Sequence, residues 1–260
     1  MKSFEIGSED NDRAVCALAS PRRWLTSSLL LLPASYASLA CTWGMVTRYW
    51  SVTFSYASRW VHVPMSIAGI PGDRTWLAAP VVALQWSGRY PGKALMVVTG
   101  LICAGAFGAS FVRKERWLPA AYLVRALAAV QFVVCMYFLL SPASFRYSAQ
   151  EHVREMVETQ VIGIKVIPIM LSLTYYTLNF TLTQKTLATF LIVTYFIALA
   201  PFFIALHACI VFYGSLLFVP LCFFVLGAPL LLGLLLGLYS YCASWPGAPP
   251  GVGAHAAPRW

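Results

Sequence analysis

The sequence predicts an all-α fold, that of a polytopic integral membrane protein with about six transmembrane helices. Hydrophobic residues make up 60% of its 260 residues and charged residues only 10%, whereas about 25% of residues are charged in soluble domains. The stretch from Thr186 to Ser240 contains no Asp, Glu, Lys or Arg. Because ~20 apolar residues cross a bilayer, this uncharged stretch must fold back at least once.

Apolar runs and the polar segments between them divide the chain into three parts. Residues 1–23 mix acidic and basic side chains and predict a mobile polar tail. Residues 24–241 predict a single transmembrane domain, and residues 242–260, which contain PGAPPGVGAHAAP, predict a disordered tail. The predicted spans are roughly 24–45, 94–112, 118–141, 161–183, 186–208 and 214–241.

Both ends of the membrane domain leave an alternative open. The arginine pair at 22–23 before an apolar run resembles a twin-arginine export signal, with Ser-Leu-Ala at 38–40 as a cleavage site. We favour an uncleaved first helix, because the run exceeds the apolar core of about 7–15 residues in a signal peptide. At the other end, three prolines could divide residues 186–241 into three short spans instead of two. These are Pro201, Pro220 and Pro229.

Residues 46–92 predict an interfacial segment between the first two spans. The segment is rich in Trp, Tyr and Arg, and aromatic rings with one polar edge lie at headgroup depth. A turn is expected at 71–73, which reads Pro-Gly-Asp. Residues 75–86 are apolar but short for a membrane span, so a re-entrant or interfacial course is expected there, with a further span as the alternative.

A charged amphipathic helix is predicted at 148–160, leading directly into the fourth span. Ser148 and Glu151 have the spacing of a capping box, in which each side chain accepts from the backbone amide of the other. Apolar residues recur at helical spacing on one side of this helix, with Glu151, Glu155 and Glu158 on the other. Such a helix is expected to lie on the membrane surface.

The net charge of +9 is interpreted as membrane orientation rather than nucleic-acid binding. Basic residues stand beside apolar runs, where they anchor helix ends and meet anionic lipid. No basic patch with interleaved aromatic residues is present, as nucleic acid would require. The basic cluster RKER at 113–116 is expected in the cytoplasm, which with six spans places both termini there. The short loops favour a bacterial inner membrane.

Motifs for cofactors or catalysis are absent from the sequence. The seven cysteines form no CxxC pair and lie mostly inside predicted spans, where Cys acts as a small hydrophobe. The patterns GxxxxGK[ST], GxSxG and HExxH do not occur. The predicted spans contain no acidic residue, which argues against the common proton- or sodium-coupled transporter designs. We expect no cofactor and disfavour an enzyme.

Two polar residues inside the third span are candidates for binding an anion. Arg125 lies about 12 Å along the predicted helix, where a buried charge is costly unless it is paired or hydrated. With Gln131 as companion, it could face the interior of the bundle. The alternative is that the arginine side chain extends back to the cytoplasmic interface.

Polar residues also recur along the fourth span at intervals that place them on one helix face. They could line a hydrophilic path or bind a lipid headgroup. More often such a stripe forms hydrogen bonds between helices, each worth about 1 kcal/mol or less. The stripe comprises Lys165, Ser172, Tyr176, Asn179 and Thr183.

Glu151, His152 and Glu155 are weak candidates for a metal site or for acid–base chemistry, since carboxylates and imidazole bind divalent metals. Against this, Arg154 is spaced to pair with the neighbouring glutamates, as on any charged helix face. His207 stands alone in an apolar run, where a local hydrogen bond is its ordinary role.

Small residues at four-residue spacing predict close helix packing. One such face lies on the second span and one on the sixth. The residues are Gly100, Ala104 and Gly108 on the second span, and Gly233 and Gly237 on the sixth.

These features favour a non-catalytic integral membrane subunit or accessory protein of a larger complex, as in envelope biogenesis, export or surface-polysaccharide assembly. The expected partners are membrane lipids and another integral membrane protein or a second copy of the chain, and no nucleic acid. The second hypothesis is a small transporter or a lipid- or anion-binding carrier that uses Arg125 and the polar stripe. An intramembrane enzyme that uses Glu151, His152 and Glu155 is the third.

Overall fold

Helices dominate the computed structural model of the chain. It describes residues 21–69, 77–86, 88–111, 117–142, 145, 147–178 and 180–245, with only the backbone of residues 21–24, 26 and 27. The helices are α1 Pro21–Val61, α2 Lys93–Ala109, α3 Leu118–Leu140, α4 Ala149–Thr174, α5 Leu182–Gly214, α6 Val219–Leu226 and α7 Ala228–Ala243. The strands are β1 Met65–Gly69 and β2 Val81–Leu84, and short 3-10 turns occupy Tyr175–Thr177 and Leu216–Phe218.

Within this part of the chain, five helical segments are long and apolar enough to cross a membrane. The 17 residues of α2 form a shorter apolar helix. The predicted all-α polytopic membrane fold is therefore confirmed, with a two-stranded sheet as its exception. The five segments are Ser28–Val61, Leu118–Leu140, Ala149–Thr177, Leu182–Gly214 and Leu216–Ala243.

The first helix is much longer than the predicted span at 24–45. Helix α1 continues to Val61, so residues 46–61 of the predicted interfacial segment are part of the first helix. The side chains of Trp50 and Phe54 are wholly buried, and their four-residue spacing is that of one helix face. No Gly or Pro interrupts residues 45–61. Trp50 and Phe54 pack inside the chain, whereas Tyr56 and Trp60 are exposed.

Residues 81–84, within the short apolar run at 75–86, form strand β2. This strand pairs antiparallel with β1, with Met65 opposite Leu84. Gln150, at the start of α4, hydrogen-bonds to the edge of β2 that faces away from β1. Its Oε1 accepts from the backbone nitrogen of Leu84 at 2.8 Å, and its Nε2 donates to the carbonyl of Val82 at 2.6 Å. The turn predicted at 71–73 lies outside the described residues.

Helix α4 combines the predicted helix at 148–160 with most of the fourth span. The capping box at its start is present. Glu151 Oε2 accepts from the Ser148 backbone nitrogen at 2.8 Å, and the Glu151 nitrogen donates to Ser148 Oγ at 3.1 Å. The helix ends at Thr174, earlier than the predicted limit at 183.

A second capping box explains why the fourth span ends early. The Thr181 backbone nitrogen donates to Gln184 Oε1 at 2.9 Å, and the Gln184 nitrogen donates to Thr181 Oγ1 at 3.2 Å. This reciprocal pair begins α5 at Leu182 and satisfies backbone donors that have no partner within the helix. The spacing from Thr181 to Gln184 is a helix-start signal, and it overlaps the end of the predicted fourth span at 183.

The long uncharged stretch contains two spans, divided close to the predicted break at 208–214. Ser215 separates α5 from the last span with a φ of 113°. A further break at Gly227 separates α6 from α7 inside that span.

By its internal contacts the chain divides into two units. The first comprises residues 1–43, 162–197 and 233–260, and the second comprises residues 44–161 and 198–232. In the described part of the first unit, Tyr175 is buried and its hydroxyl lies 2.8 Å from Thr189 Oγ1. Tyr36 Oη donates to the carbonyl of Lys165 at 2.7 Å. Hydroxyl groups thus link the helices of this unit.

The second unit contains an apolar core and the strand pair. Helix α2 packs against α3, and α3 packs against α6. The core cluster consists of Met96, Cys135, Phe138, Ala149, Val211, Leu216, Leu217 and Val219.

Candidate functional site

Two histidines from different helices meet inside the second unit. His152 on α4 and His207 on α5 are both wholly buried, and His152 Nε2 lies 3.1 Å from His207 Nδ1. The backbone of Leu226, the last residue of α6, hydrogen-bonds to His207. The ring of Phe223 lies 6.5 Å from that of His152. The pair is therefore enclosed by α4, α5 and α6.

Tyr147 and Glu155 connect this histidine pair to a more exposed region. Tyr147 Oη donates to Glu155 Oε2 at 2.6 Å and lies 3.5 Å from His152 Nδ1. Burial, reinforced by the hydrogen bond and the charge of Glu155, raises the pKa of the Tyr147 hydroxyl well above its usual range. Tyr147 therefore stays protonated, and Glu155 is only half buried. We name Glu155, Tyr147, His152 and His207 the polar relay.

The predicted metal or acid–base candidates are placed differently from one another. His152 is wholly buried. Glu151 caps the start of α4 through Ser148, and Glu155 contacts Tyr147. Arg154 pairs with Glu158 at 3.7 Å. Among the described residues, no group of three or more His, Cys, Asp or Glu side chains is placed to hold a metal ion.

Sequence reasoning missed the pairing of His207 with His152. His207 is not alone, although 55 residues separate the two along the chain. No local pattern could have shown the contact, because it depends on how α4 and α5 pack. The available signal was that both histidines stand on apolar faces of helices, where a buried imidazole needs a hydrogen-bond partner.

Arg125 hydrogen-bonds to the C-terminal end of helix α2. Its Nε donates to Ser110 Oγ at 2.9 Å, and its Nη2 donates to the Ser110 carbonyl at 3.0 Å. Its guanidinium carbon lies 3.9 Å from the centroid of the Phe111 ring. A cation at the last carbonyl groups of a helix is favourable because the helix dipole is negative there. The geometry favours this structural role over anion binding.

Arg125 and Gln131, which the sequence predicts as companions, have separate hydrogen-bond partners. Gln131 is buried and its Nε2 donates to the Leu217 carbonyl at 3.1 Å. This bond joins α3 to the 3-10 turn that follows α5. Its Oε1 has no hydrogen-bond partner in the described part of the chain.

The predicted polar stripe is divided between elements. Ser172 is buried in α4, whereas Tyr176 is exposed in the 3-10 turn after it. Thr183 belongs to α5. Lys165 is partly buried in α4, and Asn179 lies outside the described residues. Because α4 ends at Thr174, these residues do not share one helix face.

The small-residue faces differ in what they contact. Gly100 on α2 is buried, and a methyl group there would lie 3.8 Å from the Cβ of Cys135 on α3. Ala104 and Gly108 are exposed. Gly233 and Gly237 on α7 are also exposed, and a methyl group at either would have no heavy atom of the described residues within 4 Å. In the part of the chain that the structure describes, the face on α2 therefore has one helix contact, at Gly100, and the glycines of the face on α7 have none.

A groove of about 290 Å³ lies between α1 and α5 in the first unit. Its walls are mainly aliphatic, with a set of hydroxyl groups between them. These belong to Ser35, Ser38, Thr42, Thr186, Thr189 and Thr194.

No protein family, curated protein or solved structure matches the chain.

The structural role of Arg125 gives a first testable prediction. Replacing Arg125 with lysine should lower the free energy of unfolding by about 1–2 kcal/mol, because an ammonium group cannot span both Ser110 acceptors as the guanidinium does. Thermal unfolding in mild detergent measures the change. Arg154→Lys is the matched control. Its exposed ion pair is worth little, so no change is expected. Equal stability of both variants would contradict the capping role.

Proposed function

We propose that this protein is a non-catalytic integral membrane component that packs against a larger membrane partner through its last span. A bacterial inner membrane with both termini in the cytoplasm is the proposed setting. Envelope biogenesis, export or surface-polysaccharide assembly is the proposed kind of pathway. The single observation that carries the proposal is the exposed Gly233–Gly237 face of α7.

The last span is the most apolar of the five candidate spans and the least buried. Within α7 only Leu235 and Cys242 are buried. Leu232 and Leu236 are exposed beside the two glycines. Much of this helix therefore faces outward from its own chain.

Glycine destabilises a helix and contributes no compensating contact on a surface that faces only lipid. Each glycine inside a helix costs about 1 kcal/mol relative to alanine, and neither Gly233 nor Gly237 has a close neighbour among the described residues. Two glycines four residues apart allow the backbone of another helix to approach closely, so that packing and interhelical contacts stabilise the pair. A helix from a partner would give these glycines a role.

Replacing Gly233 and Gly237 with leucine should leave the fold intact and abolish the association. The fold tolerates the change because the space around both positions is open. The partner is lost because leucine keeps the two backbones apart. The measurement is affinity purification in mild detergent, with mass spectrometry of the co-purified proteins.

Gly105 provides the control for this experiment. It is an exposed glycine on α2 that also has no close neighbour, and it lies outside the α7 pair. Gly105→Leu should retain the partner. The proposal would be overturned if the partner stayed bound to the Gly233→Leu and Gly237→Leu variants. It would also be overturned if the Gly105→Leu control lost the partner to the same extent as they do.

The groove between α1 and α5 supports a second candidate, a carrier of a membrane lipid. Its aliphatic walls suit an acyl chain, and its volume approaches the lower end of the ~300–1,000 Å³ range of ligand pockets. The same purification separates the two functions. A protein that elutes without a partner and with stoichiometric lipid would favour the carrier.

A further inference from the structure

The histidine pair can hold one additional proton without losing its central hydrogen bond. Two ring nitrogens 3.1 Å apart need a single hydrogen between them, because one must donate and the other accept. A neutral pair satisfies this with one N–H. One added proton makes one ring an imidazolium and strengthens the bond. A second would set two N–H groups against each other, and two like charges as well.

We propose that His152 and His207 form a proton-binding site that takes up one proton shared between the two rings, with Glu155 and Tyr147 as its route of entry. This inference goes beyond the proposed packing role and does not depend on it.

Two features of the surroundings oppose the cost of burying a cation at the pair. Leu226 hydrogen-bonds to His207 through its backbone, and it is the last residue of α6, where the helix dipole is negative. Helix α6 carries no charged side chain, and its one titratable residue is Cys222. Among the described groups, α4 contributes Glu155 through Tyr147, and α5 contributes His207 itself. The nearest described carboxylate that is linked to the pair is thus that of Glu155, which balances an imidazolium.

The entry route follows from the hydrogen bonds of Tyr147. When Glu155 binds a proton from solution, its carboxylic acid can donate to the Tyr147 oxygen. The Tyr147 O–H bond then breaks as its proton passes to His152 Nδ1, and the proton from Glu155 restores the hydroxyl. The net change is one proton moved from Glu155 to His152. Tyr147 is unchanged, and no electrons are transferred.

The position of the relay along its helix gives it access to water. The span from Ala149 to Thr177 has 29 residues, which is about 43 Å of helix. The hydrocarbon core is only ~30 Å thick, so part of the span lies outside it. The charged side chains Glu151, Arg154 and Glu158 all fall within its first ten residues, which places this end of the helix at headgroup depth.

The proton uptake is measured by nuclear magnetic resonance of ring-¹⁵N histidine in lipid nanodiscs. The chain has four histidines, and the double replacement His62→Gln and His255→Gln leaves only the pair. A pH titration of this protein should show both rings changing together, with one midpoint and an uptake of one proton.

Three further variants on this background test the route. Glu155→Gln should lower the midpoint by about one pH unit, since it removes an opposing charge. Tyr147→Phe should slow the uptake by at least about tenfold, because it breaks the chain of hydrogen bonds. Glu158→Gln removes an exposed carboxylate one turn from the relay and is the matched control, with no expected change.

Three results would overturn the proposal. The first is that both rings remain neutral over the whole pH range in which the protein is folded. The second is an uptake of two protons with separate midpoints. The third is an equal response to Glu155→Gln and Glu158→Gln, which would mean that the entry route lies elsewhere.

Discussion

Replacing Trp50 with alanine should lower the free energy of unfolding by about 3–5 kcal/mol. Trp50 has 0% of its surface exposed, so its removal leaves a cavity in the second unit. Within a bilayer or a detergent micelle the loss arises from missing van der Waals contacts, because lipid chains are as apolar as the protein interior. At about 2–4 °C per kcal/mol, thermal unfolding in detergent should show a midpoint at least about 6 °C lower.

Trp60 is the matched control for this replacement. It lies on the same helix and has 83% of its surface exposed. Trp60→Ala should therefore change the midpoint by only a degree or so, within the ~0.5 kcal/mol typical of surface substitutions. Equal midpoints for the two variants would show that the second half of α1 does not pack as the structure describes.

Replacing Gly227 with alanine should have the second largest effect, a loss of about 3 kcal/mol. Gly227 lies at the break between α6 and α7, with φ −85° and ψ −137°. A methyl group there would overlap the carbonyl oxygen of Phe223. Because the obstacle is backbone, no side-chain rotation relieves it, and the junction itself must shift. Thermal unfolding of the purified variant measures the loss.

Gly237→Ala serves as the comparison. The space around Gly237 is open, and alanine in a helix is more stable than glycine by about 1 kcal/mol, so this variant should be as stable as the wild type or more stable. Alanine is also small enough to keep the α7 packing face. If Gly227→Ala matched the stability of Gly237→Ala, the break between α6 and α7 would be wrong.

The sequence correctly predicts two features that depend only on residues close together along the chain. The Ser148–Glu151 capping box is present because both partners lie within one helical turn and need no other element. The break after α5 follows from the length of the uncharged stretch and the thickness of a bilayer. The capping box from Thr181 to Gln184 is also a local signal, although the predicted fourth span continues to residue 183.

The roles of polar residues inside spans could not be predicted in the same way. The cost of a buried charge marks Arg125 as a residue that needs partners. That cost alone does not say whether the partners belong to a ligand or to the protein. The position of α2 beside α3 supplies partners from the protein, because it brings Ser110 within 3.0 Å of the guanidinium.

By itself, the sequence determined that the chain is a helical membrane protein, since composition and the length of apolar runs suffice for that conclusion. Tertiary packing alone decided that His152 faces His207 and that Trp50 is interior. Packing also leaves Gly237 on an exposed face of α7. The physical reason is that apolarity and helix signals are properties of neighbouring residues, whereas a contact across 55 residues, as between His152 and His207, depends on which helix faces meet.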